Sequence, residues 1–125
     1  MQTFIKNERL CSKLIIDKLV NKGNSFYNSP FKIIWHEIPQ SIMPVQILIS
    51  VPKRKFKKAV DRNSIKRLIR EVYRKHKALL YTNLNTKKIN LMLIYTSTTI
   101  INHSELEEKL IETLKRLNKK ITEQS

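Results

Sequence analysis

Residues 59–74 read AVDRNSIKRLIREVYR, and their apolar and basic side chains recur at the spacing of an α-helix. At 100° per residue the apolar side chains share one side of that helix, with His76 beside them. The apolar positions are Ile65, Leu68, Ile69 and Val72. A basic stripe runs along another side and consists of Arg62, Lys66, Arg70, Arg74 and Lys77. The pattern predicts a helix that packs into a core and presents cations about 6 Å apart.

The charge of the chain points to a polyanionic partner. Its 125 residues include 25 Lys and Arg but only 10 Asp and Glu, which gives a net charge of +15. Such a surface attracts nucleic acid first and an anionic membrane surface second. Within the stripe, like charges four residues apart destabilise the isolated helix by a few tenths of a kcal/mol per pair. Because a polyanion would remove that cost, the stripe favours binding to phosphates.

Several classes of protein are excluded by composition. Cys11 is the single cysteine, so no intrachain disulfide can form, and Gly23 is the single glycine, so glycine-rich phosphate loops are absent. The opening residues lack the apolar core of a signal peptide, and no run approaches the ~20 apolar residues of a membrane span. We therefore expect a reducing, cytoplasmic setting and no membrane partner.

The ionisable residues predict no catalytic centre and no dedicated metal site. The ten acidic residues include no pair in a setting that suggests a two-metal site. His36, His76 and His103 fall on a predicted strand, helix and loop without a shared motif. With no cluster of Cys and His, zinc has no plausible site.

The rest of the chain predicts one α+β sandwich domain over residues 1–125, a sheet with helices against it. The expected order is helix, strand, strand with room for a third strand, helix, strand, helix. The predicted elements are a helix over 10–20 that ends near Gly23, strands over 25–37, 45–51 and 89–96, a loop over 38–44, a connector over 82–88 and a last helix opened by a capping box at 104–107.

Three segments in succession carry a family resemblance. Residues 49–54 read ISVPKR, residues 59–60 read AV and residues 62–70 read RNSIKRLIR. This succession resembles the protein subunit of bacterial ribonuclease P, in which a strand ends in a short basic turn and Arg-Asn-Arg-Ile-Lys-Arg-Leu-x-Arg follows on a helix. Ser64 departs from the usual second Arg of that motif, and Ile16 and Val20 stand where many members have aromatic residues.

The resemblance implies a specific function. The protein would bind a large catalytic RNA, contact the 5′ leader of precursor tRNA and support Mg²⁺-dependent endonucleolytic removal of that leader. The catalyst would be RNA with its bound Mg²⁺, so the protein would have no catalytic residue, no organic cofactor and no obligate protein partner. The family fold also implies a left-handed crossover connection.

The resemblance and the helical pattern together give two sets of candidate site residues. The leader would lie in a cleft beside the sheet, where Phe31, Trp35 and Ile16 are candidates, although the two aromatic residues suit a core equally well. The candidate RNA-binding residues are Arg62, Asn63, Lys66, Arg67, Arg70, Arg74, Lys53, Arg54 and Lys55.

Two alternatives use the same basic helix. One is a non-enzymatic RNA-binding protein, such as a ribosomal component. The other is a DNA-binding regulator that places the helix in a major groove, which predicts binding to duplex sites. The RNA that copurifies with the protein would distinguish ribonuclease P from a ribosomal component, because ribonuclease P RNA is one species of modest size and ribosomal RNA is much larger.

Overall fold

The structure is a computed structural model that describes residues 13–37, 45–81 and 88–123. The chain order is helix, three strands, two helices, strand and helix, in agreement with the predicted α+β class. The elements are α1 (Lys13–Lys22), β1 (Asn24–Asn28), β2 (Phe31–Glu37), β3 (Val45–Ser50), α2 (Ala59–His76), α3 (Ala78–Tyr81), β4 (Ile89–Tyr95) and α4 (His103–Glu123).

The four strands form one sheet in the order β1-β2-β4-β3. β1 pairs with β2 and β2 with β4 in antiparallel fashion, whereas β3 and β4 are parallel. The last strand in the chain therefore lies between two earlier ones. A parallel pair needs a crossover connection, and α2 and α3 provide it between β3 and β4. The left-handed sense of this crossover stays a prediction.

One face of the sheet carries the main core. Alternate residues of β4, namely Ile89, Leu91, Leu93 and Tyr95, are buried on this face, as the alternation predicts. The apolar sides of α2 and α4 cover them. The buried residues of these two helices are Ile65, Ile69, Val72 and Tyr73 from α2, with Leu106, Leu110, Leu114, Leu117 and Ile121 among those from α4.

The opposite face of the sheet is covered much less among the described residues. Here α1 packs against the strands through Leu19, which forms a small cluster with Ile34 of β2. Leu14 and Val20 of the same helix remain 81% and 53% exposed. We call this the open face, because α1 is the only described helix that packs on it.

Gly23 lets the end of α1 approach the sheet closely. Its amide donates a 2.8 Å hydrogen bond to the carbonyl of Leu19. A Cβ atom at position 23 would collide with that same carbonyl oxygen and would stand 2.8 Å from Ile34 Cγ2. The φ angle of Gly23 is not positive, so this glycine is needed for space and not for a left-handed backbone.

Two local predictions need correction, and one short element was not predicted. The predicted strand over 25–37 is a hairpin, since the chain turns at Ser29 and Pro30 between β1 and β2. The predicted capping box at Ser104 is wrong, because α4 begins at His103. The side chain of Asn102 caps the helix instead, since its Oδ1 accepts a 2.8 Å hydrogen bond from the Glu105 amide. The short helix α3 was not predicted. The predicted loop 38–44 and most of the predicted connector lie outside the described residues.

Candidate nucleic-acid interface

The basic stripe runs along one border of the buried side of α2 and ends at Lys77, just beyond the helix. All five stripe residues are half-buried, whereas Asn63 and Arg67 beside them are exposed. Long basic side chains commonly pack their aliphatic stems along a surface while the charged ends remain in water. The structure thus brings the helical members of the predicted RNA-binding set to one surface. Ser64 is exposed on the same helix.

A second group of cations lies in the turn that precedes α2, over residues 52–58, which we call the basic turn. Lys53 and Arg54 are exposed there, as are Lys57 and Lys58. The amides of Lys55 and of the next residue donate to the Pro52 carbonyl at 3.1 and 3.3 Å. The basic turn therefore has hydrogen bonds of its own and presents four exposed cations next to the stripe.

The basic turn is anchored to three other parts of the fold. Phe56 is buried, with its ring centroid 6.0 Å from that of Tyr95. Lys55 Nζ donates a 2.5 Å hydrogen bond to the carbonyl of Thr96, just beyond β4. Arg62 Nη1, on α2, donates to the carbonyls of Phe56 and Lys57 at 2.7 and 3.0 Å. The turn is thus fixed against the core, the end of β4 and the helix.

Tyr27 is a candidate site residue that sequence reasoning missed. It is 59% exposed and lies on the open face, opposite Lys32 in the register of β1 and β2. Hydrogen bonds from the side chains of Thr96 and Ser29, together with the charge of Lys55, hold the pKa of Tyr27 below its usual value. The distance from Thr96 Oγ1 to Tyr27 Oη is 3.3 Å. Recognition of the hairpin would have identified Tyr27, because alternation in β1 then places it opposite the core.

The predicted leader residues divide between the two faces of the sheet. Phe31 and Trp35 are 0% and 4% exposed, and both belong to the main core. The prediction that these rings serve as stacking platforms is therefore wrong, since stacking needs an accessible ring face. Ile16 of α1 is half-buried against the cluster of Leu19 and Ile34 on the open face. Ile16 and Tyr27 thus lie on the same side of the sheet.

A polar contact holds α2 against α4 near the end of the stripe. His76 Nε2 lies 3.0 Å from Glu107 Oε2, and both side chains are about one-third exposed. The hydrogen bond with His76 is the main cause that lowers the pKa of Glu107 below its usual value. His76, which the helical pattern places beside the apolar positions of α2, thus lies at the border of its buried side.

Within residues 13–37, 45–81 and 88–123, no group of three or more His, Cys, Asp or Glu side chains could hold a metal ion. In the same ranges no helix has the length and apolar character needed to cross a membrane.

The family model described as Ribonuclease P matches residues 4–118. The chain belongs to the ribonuclease P protein family. A ribonuclease P protein component from Petrotoga mobilis is 31% identical over 116 residues, which cover 93% of this chain and 96% of that protein. The corresponding protein of Porphyromonas gingivalis strain W83 is 36% identical over 89 residues, and the match spans 67% of this chain but only 62% of that relative's length.

Solved structures show that the fold is shared. The RNase P protein of Staphylococcus aureus superposes with a TM-score of 0.73 at 24% identity, over 88% of this chain and 94% of that one. The RNase P protein from Thermotoga maritima gives a TM-score of 0.71 at 23% identity, over 86% of this chain and 96% of that one. The mixed α+β fold is therefore that of ribonuclease P proteins.

Proposed function

We propose that this chain is the protein subunit of a ribonuclease P, and that it binds the catalytic RNA through the basic stripe and the basic turn. The observation that carries the proposal is the position of these cations. α2 buries one side in the core, and the cations along the border of that side adjoin a turn with four exposed cations. A row of cations beside a rigid basic turn suits the phosphates of a folded RNA. A cytoplasmic setting is part of the same proposal.

The open face supports a second contact, with the 5′ leader of precursor tRNA. Tyr27 offers an exposed ring, and base stacking on such a ring is tolerant of sequence. Lys32 lies opposite Tyr27 in the register, where it can neutralise a leader phosphate. Ile16 adds apolar surface from α1 on the same side. In this proposal the open face guides a single strand, while the stripe binds the catalytic RNA.

The protein's residues position RNA and screen its charge in this proposal. Mg²⁺, held mainly by the RNA, would supply the activated water that hydrolyses the phosphodiester. The described residues do not fit a metal centre, because no three potential ligands cluster among them. The protein would bring the phosphates of the catalytic RNA and of the leader close together, and its cations would reduce their mutual repulsion.

The direct test is reconstitution with the cognate RNA. We expect the nuclease-free protein to leave precursor tRNA intact, and protein, RNA and Mg²⁺ together to release the leader and leave a 5′-phosphate. Robust cleavage by the protein without RNA would contradict the proposal. Sequencing the RNA that stays bound after a moderate salt wash separates it from the ribosomal alternative, which predicts ribosomal RNA.

The salt dependence of binding tests the electrostatic mechanism. Each neutralised phosphate releases counterions with a logarithmic slope of about 0.7 to 0.9, so about five contacts give a slope of roughly four. Binding measured between about 50 and 200 mM salt should follow that slope. A slope near zero would remove phosphate contacts as the source of affinity.

The leader contact has its own test at Tyr27. Tyr27→Ala should weaken binding of precursor tRNA to the holoenzyme by about 1–3 kcal/mol, the range for one base stacked on an aromatic ring. Tyr27→Phe keeps the ring and should bind almost as well as the original protein. Mature tRNA, which lacks a leader, should bind both variants equally. Equal losses for precursor and mature tRNA would show that Tyr27 does not contact the leader.

A further inference from the structure

Arg62 has a bonding pattern that differs from that of an outward phosphate ligand. It is half-buried, and its Nη1 donates to two carbonyls of the basic turn, those of Phe56 and Lys57. Hydrogen bonds from a charged donor are roughly twice as strong as neutral ones. The backbone of α2 begins at the same place, because the Arg62 amide donates to the Lys58 carbonyl at 3.2 Å. Arg62 thus joins helix and turn through both side chain and backbone.

The basic turn has a matching anchor on its other side. Lys55 Nζ donates to the Thr96 carbonyl, and Thr96 in turn contacts Tyr27 and the Pro30 carbonyl. The ammonium of Lys55 therefore binds a carbonyl of the protein itself, as the guanidinium of Arg62 does. The cations that remain exposed on the turn are Lys53, Arg54, Lys57 and Lys58.

We propose that Arg62 is a positioning residue that acts on the RNA through the basic turn, and that the exposed cations of the turn, and not Arg62, make the phosphate contacts at this end of the stripe. This inference rests on the proposed function, because it assigns roles within the same RNA-binding surface. A flexible turn would lose conformational freedom when it binds, and an anchored one has already lost it. Arg62 therefore raises affinity by holding the exposed cations of the turn in place before RNA arrives.

Hydrogen exchange of the free protein tests the positioning step without RNA. The amides of Lys55 and Phe56 both donate to the Pro52 carbonyl, so their exchange rates report on the order of the turn. Arg62→Met should make these two amides exchange faster. Arg67→Met is the matched control, since Arg67 is exposed on the same helix and should leave both rates unchanged. Unchanged rates in Arg62→Met would overturn the proposal, whatever the protein binds.

A double-mutant cycle with the catalytic RNA tests the route of the effect. Arg62→Met should weaken binding of the protein to the catalytic RNA about tenfold, which corresponds to the loss of about one charge-assisted hydrogen bond. In a protein that already carries alanine in place of all four exposed cations of the turn, Lys53, Arg54, Lys57 and Lys58, the same change should cost about twofold or less, because the cations that Arg62 positions are gone. Arg67→Met should cost about the same in both backgrounds.

The outcomes separate the two proposals. Equal losses for Arg62→Met in both backgrounds would overturn the positioning role and assign Arg62 a phosphate contact of its own. If Arg62→Met does not fold, Arg62→Lys keeps the charge but lacks the planar fork, and the same cycle and exchange measurements apply to it. If the original protein does not bind the RNA at all, the proposed function fails, while the exchange rates still report whether Arg62 orders the turn.

Discussion

Replacement of Gly23 by alanine should loosen the contact between α1 and the sheet. A Cβ at this position would stand 2.8 Å from Ile34 Cγ2 and 3.1 Å from the Trp35 carbonyl oxygen, besides colliding with the carbonyl of Leu19. Overpacking of this kind costs about 1–3 kcal/mol. Since the φ of Gly23 is not positive, alanine also restricts the unfolded chain, which offsets up to about 1 kcal/mol. The expected net loss of stability is about 1–2 kcal/mol.

The packing of α1 sets an upper limit on this loss. If the clash exceeded the contribution of α1 to stability, the helix would detach from the sheet. Leu19 is the one fully buried side chain of α1, and full burial of a leucine contributes about 1.5–3 kcal/mol. Gly23→Ala should therefore cost no more than Leu19→Ala, for which about 2–5 kcal/mol is expected. Gly23→Ala should also cost less when Leu19 is already alanine, because the two sites are coupled.

Equilibrium urea unfolding followed by circular dichroism measures the loss. With a slope of about 1–3 kcal/mol per M for a small domain, the midpoint should fall by about 1 M. Asn21→Ala is the control, since Asn21 is exposed in the last turn of α1 and its replacement should not lower the midpoint. A midpoint for Gly23→Ala at or above that of the original protein would refute the steric argument.

Four further substitutions test other parts of the structure. Arg67→Ala should weaken binding to the catalytic RNA by about 1–3 kcal/mol, the range for a charge-assisted contact. Ser64→Ala should change that binding little. If both variants fold equally well and Ser64→Ala weakens binding more, then Ser64 and not Arg67 contacts the RNA. Asn102→Ala removes the N-cap of α4 and should cost about 1 kcal/mol of thermal or urea stability, while an unchanged midpoint would show that the cap contributes nothing. The lowered pKa of Glu107 implies stability that is present above its unfolded pKa and lost as pH falls through the folded pKa. Glu107→Gln should therefore flatten the stability profile in that acidic range, and an identical profile would contradict the role of its contact with His76.

The elements that sequence predicted well are those whose pattern is local. The alternation in β4 and the apolar side of α2 depend on residues within one element, and burial confirms both. Tyr73 was missed on α2, although it is fully buried. At 100° per residue Tyr73 falls between Arg62 and Lys66, so the pattern assigned its sector of the helix to the basic stripe.

The errors arise where one element's role depends on another. Alternation in β2 separates two sets of side chains, but it does not tell which set the helices cover. Phe31 and Trp35 face α2 and α4 and are therefore core residues. The anchoring of the basic turn by Lys55 and Arg62 likewise depends on carbonyl groups that only the folded chain brings near them. No spacing within residues 53–62 predicts those two contacts.

The central position of β4 affects how the chain can fold while the ribosome synthesises it. β2 and β3 both pair with β4, and their described register places no hydrogen bonds between β2 and β3. While the ribosome adds residues 51–95, β4 is incomplete, so one edge of β2 and both edges of β3 remain without a strand to pair with. At about 5–20 residues per second this interval lasts a few seconds. Unpaired edges are templates for wrong pairing, so we expect nascent chains that end before residue 89 to aggregate more readily than chains that extend past residue 123.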